Sequence, residues 1–266
     1  MRNRLHLALA AATLGLGAVS GAAAQGAGGG PSDAPMTTDF EFMLGVGAVY
    51  GPVYMGSDKY KASALPLLSA RWKNGFFAGV GGVGYRLALS DALSAGLMVG
   101  LSPGRDESDA DALTGMGDIK NRPEYGAFAS HRISRGLSLA GSIRYGSGND
   151  RDGLLVDVGL RAMVPLGGPT HRLMAGLTAT YANEASMKSL FGVNATQSLA
   201  SGYTLYTPSA GLRDIALNVG YGYSITNNAI VNFGVTGRAL QGDAKDSPLT
   251  KKANSASANL MFAYRF

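Results

Sequence analysis

Ser255-Ala256-Ser257-Ala258-Asn259-Leu260-Met261-Phe262-Ala263-Tyr264-Arg265-Phe266 ends the sequence, and its period decides the fold. Ala256, Ala258, Leu260, Phe262, Tyr264 and Phe266 fall on one face of an extended chain. Ser255, Ser257, Asn259, Met261, Ala263 and Arg265 fall on the other. A helix would mix the two sets, whereas a strand separates them.

The same alternation recurs upstream. Leu93, Ala95, Leu97, Val99 and Leu101 oppose Ser94, Gly96, Met98, Gly100 and Ser102. Leu154, Val156, Val158 and Leu160 oppose Asp157, Gly159 and Arg161. Ile215, Leu217, Val219, Tyr221 and Tyr223 oppose Asn218, Gly220, Gly222 and Ser224. The pattern predicts strands near 40–50, 64–72, 75–79, 82–89, 92–102, 122–133, 136–147, 153–166, 171–182, 212–225, 229–240 and 255–266. Most are long enough to cross a bilayer when tilted, at about 9–11 residues per crossing.

Short turns (Ser90-Asp91, Ser134-Arg135, Gly167-Gly168-Pro169, Thr226-Asn227-Asn228) alternate with long polar segments at 51–63, 102–121, 183–211 and 241–254. That asymmetry, with about twelve strands, predicts an all-β, antiparallel membrane-spanning barrel with short periplasmic turns and long outer loops. Splitting 75–89 at Gly79–Gly82 keeps both chain ends on the periplasmic side. A soluble sandwich would not need a small polar face along nearly every strand. Two aromatic girdles are expected: Phe40, Phe42, Trp72, Phe77, Tyr223, Tyr264 and Phe266 at the periplasmic rim, and Tyr50, Tyr125, Tyr145 and Tyr181 at the outer rim.

Composition agrees. Of 266 residues, 46% are hydrophobic, only 15% are charged, 39 are Gly and none is Cys. The absence of Cys excludes disulfides, thiolate metal sites, a thiol nucleophile and lipid attachment through an N-terminal Cys. Residues 1–24 read as a signal peptide: Arg2 and Arg4, an apolar stretch from Leu5 to Val19, then Ala22-Ala23-Ala24 before Gln25. Residues 25–39 read as a flexible lead-in and 40–266 as the barrel. The formal charge of +5 falls by two with the leader. An exported chain has no nucleic-acid partner to explain its basic balance.

Strand parity sends charge inward. Arg71, Arg86, Arg132, Arg144, Arg161, Arg172, Arg238 and Arg265 join Glu41, Glu124 and Asp157 in the lumen, a balance near +5. A water-filled lumen of that sign favours anions. The alternative is a lumen plugged by these side chains and their ion pairs.

Other motifs carry little chemistry. Gly79-Val80-Gly81-Gly82-Val83-Gly84 fits G-x-G-x-x-G, but alternating Tyr85, Leu87 and Leu89 follow where a dinucleotide site needs a helix. A tight turn is the reading. His131 and His171 have no serine and carboxylate on their own faces, so no hydrolase triad is expected. Asp106, Glu107, Asp109 and Asp111 could meet divalent cations or the lipopolysaccharide surface, but read first as a solvated loop. Asp243 and Asp246 suit Asx-type turns. No catalytic residue, cofactor or metal site is predicted.

Three loop motifs carry a family likeness. The first is Tyr54-Met55-Gly56-Ser57-Asp58-Lys59-Tyr60. The second is Phe191-Gly192-Val193 with Gln197-Ser198, Ser201-Gly202, Tyr206 and Gly211-Leu212-Arg213-Asp214. The third is Leu240-Gln241-Gly242-Asp243-Ala244-Lys245-Asp246-Ser247-Pro248. From about Phe40 to Phe266 the chain resembles the MipA/OmpV family of outer-membrane proteins. The resemblance implies a non-enzymatic barrel in one of two roles. MltA-interacting members are scaffolds joining a lytic transglycosylase (a murein hydrolase) to a penicillin-binding murein synthase, and OmpV-like members are surface proteins or porins. The terminal Tyr264 and Phe266 resemble the signal read by the barrel-assembly machinery.

Overall fold

The computed structural model describes residue 36 and residues 38–266. The signal-peptide and lead-in assignments lie, almost entirely, outside those residues. Twelve antiparallel strands form one closed barrel in sequential order, with β1 pairing β12. The strands are β1 Phe40–Pro52, β2 Tyr60–Trp72, β3 Phe76–Gly79, β4 Gly82–Ala88, β5 Leu93–Ser102 and β6 Arg122–Ser134, continuing as β7 Leu137–Ser147, β8 Gly153–Pro165, β9 His171–Ala182, β10 Gly211–Ser224, β11 Ala229–Leu240 and β12 Asn254–Arg265. No helix among the described residues is long and apolar enough to cross a membrane. The crossing is made by strands, and closure leaves no edge running the full height of the wall.

Alternation produces two surfaces. Leu44, Val46, Leu97, Leu101, Ile143, Val158, Leu217, Phe233 and Leu260 stand exposed on the outside, as a lipid-facing band requires. Glycine is concentrated inside. A side chain at Gly96 would sit 2.4 Å from the Phe128 ring, and one at Gly84 would sit 2.5 Å from Phe77. These glycines make room for aromatic rings within the lumen.

Two strand boundaries differ from the sequence expectation by two residues or more. β1 and β2 run on to Pro52 and from Tyr60, so the expected 51–63 segment shrinks to residues 53–59. Lys61 and Ser63 face inward there, and their polarity disguised a strand as a loop. Phe77, expected at the periplasmic rim, is buried and faces Phe128 across the lumen at 6.0 Å between ring centroids. The glycine-rich stretch at 79–84 is a hairpin, as read: Gly79 pairs with Gly82, whose φ of 128° only glycine adopts readily.

The tightest packing lies above the barrel, at the long-loop end. Helix α1 (Glu184–Phe191) starts at Asn183, whose side chain accepts from Ser186 N. Helix α2 (Ala195–Ser201) has a capping box between Asn194 and Gln197 and ends at left-handed Gly202. Helix α3 (Gly242–Asp246) follows β11. Phe191, Met187, Leu113, Val193 and Leu249 are almost wholly buried in this cap.

Candidate functional site

The cap is built from the three motifs, which converge from distant parts of the chain. Tyr54 Oη donates to Leu249 O at 3.0 Å. Ser247 Oγ donates to Phe191 O at 2.7 Å, and Tyr206 Oη donates to Asp243 O at 2.8 Å. Val193 and Tyr206 exchange backbone hydrogen bonds. Lys251 N and Lys252 N both donate to Gly56 O. At Gly56, with φ of 94°, a side chain would press on Thr250, so glycine is required by both conformation and space. Ser57 is fully buried and closes its own turn with Lys59. Ser201 Oγ donates back to Gln197 O before Gly202 ends the helix. Ala244 is buried against α1, while Asp58 remains exposed and the Tyr60 ring packs tilted against Tyr50. Pro248 lies between Ser247 and Leu249, both buried in the cap. Gly192 caps α1, and Gly211, Leu212, Gly242 and Asp243 line a concavity of about 410 Å³ where the second and third motifs meet.

Burial pushes the Tyr54 hydroxyl up to about 12, with the neighbouring Tyr203 and Asp58 adding to the effect. Burial likewise lowers Arg105, whose guanidinium donates to Leu190 O. The acidic cluster serves the loop itself. Glu107 accepts from Gly115 N and Gly117 N, and Asp109 pairs with Lys61 at 2.8 Å. Among the described residues no group of three or more His, Asp or Glu is placed to hold a metal ion.

Beneath the cap a charged belt runs round the inner wall from β6 to β11. Arg144 bridges Glu124 at 3.3 Å and Asp157 at 2.9 Å. Asp157 also accepts from Ser142 and Thr180. Asp214 accepts from Arg238 at 2.8 Å and from Arg213 at 2.7 Å. Arg213 enters the lumen because β10 bulges between Leu212 and Asp214, giving two successive inward residues. It is among the most buried large side chains, yet its Nη2 has no hydrogen-bond partner among the described residues. The belt carries three cations and three anions, so most of its charge is matched locally.

Nearer the short-turn end, Glu41 pairs with Arg71 at 2.6 Å and with Arg265 at 3.6 Å. Arg172 donates to Ser224, and Arg86 lies over the Phe128 ring at 5.5 Å. Arg132 and Arg161 lie level with each other on either side of Ser138, are exposed, and each has a partner. His131 faces outward, and His171 is bonded to Tyr221 and stacked on Tyr223. Phe266 packs on Phe42 and Tyr264, so the terminal aromatics complete a rim at the seam of the barrel.

Sequence reasoning found the belt's Arg144, Asp157, Glu124 and Arg238. It placed Asp214 in a loop motif and missed Arg213 as a lumen group, because a bulge suspends strict alternation. It placed Met98 on the inward face of β5 but missed the apolar inward residues Leu65, Leu67, Phe77 and Phe128. The parity that put Glu124 in the lumen already puts Phe128 there, four residues on along the same strand.

A protein-family model described as MltA-interacting protein MipA matches residues 44–266. The chain belongs to the MipA family. Among solved structures it is similar to the KdgM porin, at 12% identity over 84% of this chain and 99% of that one, with a TM-score of 0.46. It is also similar to the outer membrane channel DcaP of Acinetobacter baumannii, at 10% identity over 90% and 99%, with a TM-score of 0.39. OprD from Pseudomonas aeruginosa is similar at 10% identity over 76% and 55%, with a TM-score of 0.38. No curated protein matches the chain. In this MipA-family barrel the three motifs meet in one cap above one charged belt.

Proposed function

We propose that this protein is a non-enzymatic outer-membrane scaffold that holds a murein-remodelling enzyme at its short-turn, periplasmic end. One observation carries the reading: the long-loop mouth is roofed by a hydrogen-bonded cap packed on buried clusters, one around Phe191 and Met187 and another around Leu113 and Tyr54. A roofed barrel suits anchoring better than solute flow. In this orientation the cap meets lipopolysaccharide and the cell exterior. The partner class comes from the family's description as MltA-interacting. At the opposite end Asp39, Trp72, Lys73 and Asn74 line an open concavity of about 460 Å³ beside the Phe40 and Trp72 rings. It offers both an aromatic contact and a charged turn to a partner.

Full-length protein in outer-membrane vesicles should retain a lytic transglycosylase, and with it a penicillin-binding murein synthase, from envelope extract. Lys73→Glu should weaken that capture severalfold while leaving the barrel folded. Capture no better than by an unrelated barrel overturns the scaffold reading. The excess of basic groups in the lumen favours a second reading, a narrow anion-preferring porin. Steady current steps from the native protein in planar bilayers would select it.

A further inference from the structure

The barrel wall is incomplete on one side. β3 has four residues and β4 has seven, against 13 for β2. β2 pairs with β3 only at Ser69, Ala70 and Arg71, with a last backbone bond from Val80 N to Leu68 O. β4 pairs with β5 no higher than Val83 with Val99. At hairpin level two strands separate β2 from β5, roughly 14 Å of wall. Above the tip, no described strand pairs with β2 on that side. β2 continues for roughly 25 Å beyond Leu68, fully paired on its other side to β1.

Backbone direction shows what the gap exposes. Leu68 O points to β3, so Pro66, Ala64 and Ala62, two residues apart, point their backbone groups the same way. Pro66 has no N–H to leave unpaired. A proline inside a strand is tolerated only where the ladder lacks a neighbour, so the sequence itself marks this edge. A side chain on Gly81 at the hairpin tip would meet nothing within 4 Å.

The gap lies at membrane depth. Leu68 on one side and Leu97, Val99 and Leu101 on the other are exposed on the lipid face. Its upper limit is the Lys61–Asp109 pair. Behind it the lumen wall carries an apolar patch, with the Arg86 guanidinium over the far side of it on the Phe128 ring. Leu65 and Leu67 face inward beside the gap. Phe77 and Phe128 meet edge to face behind them, and Met98 packs against Gly126. A lumen meant for water carries polar groups instead.

We propose that this gap is a lateral portal that admits an acyl chain of a membrane lipid, from the leaflet on the long-loop side, onto the Leu65–Leu67–Phe77–Phe128 surface. The occupant follows from the surroundings. Lipid tails are what stands at that depth on both sides. An apolar lining favours a chain over water, at about 25 cal/mol per Å² buried. The portal opens sideways, where the cap does not reach, and it is independent of the scaffold role.

The single tryptophan makes the test direct. In a Trp72→Phe background, tryptophan is placed at Leu67, at lumen-facing Thr178 on β9, and at lipid-facing Leu97. Each variant is folded into vesicles of phosphatidylcholine brominated along its acyl chains. Leu67→Trp should lose most of its emission, as Leu97→Trp does, while Thr178→Trp keeps its own. Leu65→Trp repeats the reading at a second position. Lengthening the β3–β4 hairpin by two residues on each arm around Val80-Gly81 should restore emission at 67. Emission from Leu67→Trp and Leu65→Trp as high as from Thr178→Trp overturns the portal, whatever the outcome of the murein-enzyme capture.

Discussion

Tyr54 ties the first motif to Leu249, the residue that follows the third, through one buried hydrogen bond to Leu249 O, and its ionisation is linked to the cap's stability. Its pKa stands at about 12 in the folded protein against an ordinary value of 10. The folded state therefore prefers the neutral phenol. That contribution is complete below pH 10 and is lost as pH rises through 12. Cleavage of the cap by an alkali-tolerant protease should accelerate across this window, in step with phenolate absorbance. Tyr54→Phe should remove that alkaline step while costing about 1 kcal/mol at neutral pH through the lost bond. A second residue-scale test concerns Gly96. Gly96→Ala drives a methyl against both the Phe128 ring and the Tyr85 carbonyl oxygen, each at 2.4 Å, and should cost about 1–3 kcal/mol by overpacking. Phe128→Ala should relieve only the ring's share of that cost, so urea unfolding in lipid should show partial coupling between the two sites.

At the scale of elements, the bulge in β10 brings Arg213 beside Asp214, and Asp214 then holds two guanidinium groups in a buried setting. Removing the shared anion by Asp214→Ala strips both guanidinium groups of their common buried partner and should cost about 3–5 kcal/mol. Arg238→Met in the same chain should recover part of the loss, measured by urea midpoint in lipid. The legibility of these elements follows from their physics. Long strands such as β12 and β10 were readable because one face meets lipid and the other does not. Period two is then enforced along their length. The cap was not readable, since its order comes from contacts such as Ser247 to Phe191 that no local pattern encodes. β2 was half read: Leu65, Pro66, Leu67 and Leu68 form an apolar run without alternation, because an apolar lumen patch abolishes the contrast. The lumen charges were placed by parity alone. Their pairing into a belt needed the register between strands.

At the scale of the whole molecule, cap and lumen make opposing contributions to permeability. Adding Arg213 and Asp214 to the inward set adds one charge of each sign, so the excess of basic groups read from the sequence persists. That field favours anions wherever water gains access. Access is what the cap denies: α1 packs across β8, α3 packs on β10, and residues 103–121 are held to α1 through Arg105 to Leu190 and to α2 through Gln197 to Met116. Native protein should therefore show little current in planar bilayers. Replacing residues 184–208 by a short Gly-Ser linker should remove α1 and α2 without touching the strand ladder. That variant should conduct in small steps, and its reversal potential in a salt gradient should indicate anion preference. A silent uncapped barrel would place the block lower, at the Arg144 network and the Phe77–Phe128 pair. Phe128→Ala in the uncapped chain would then be the variant that opens it.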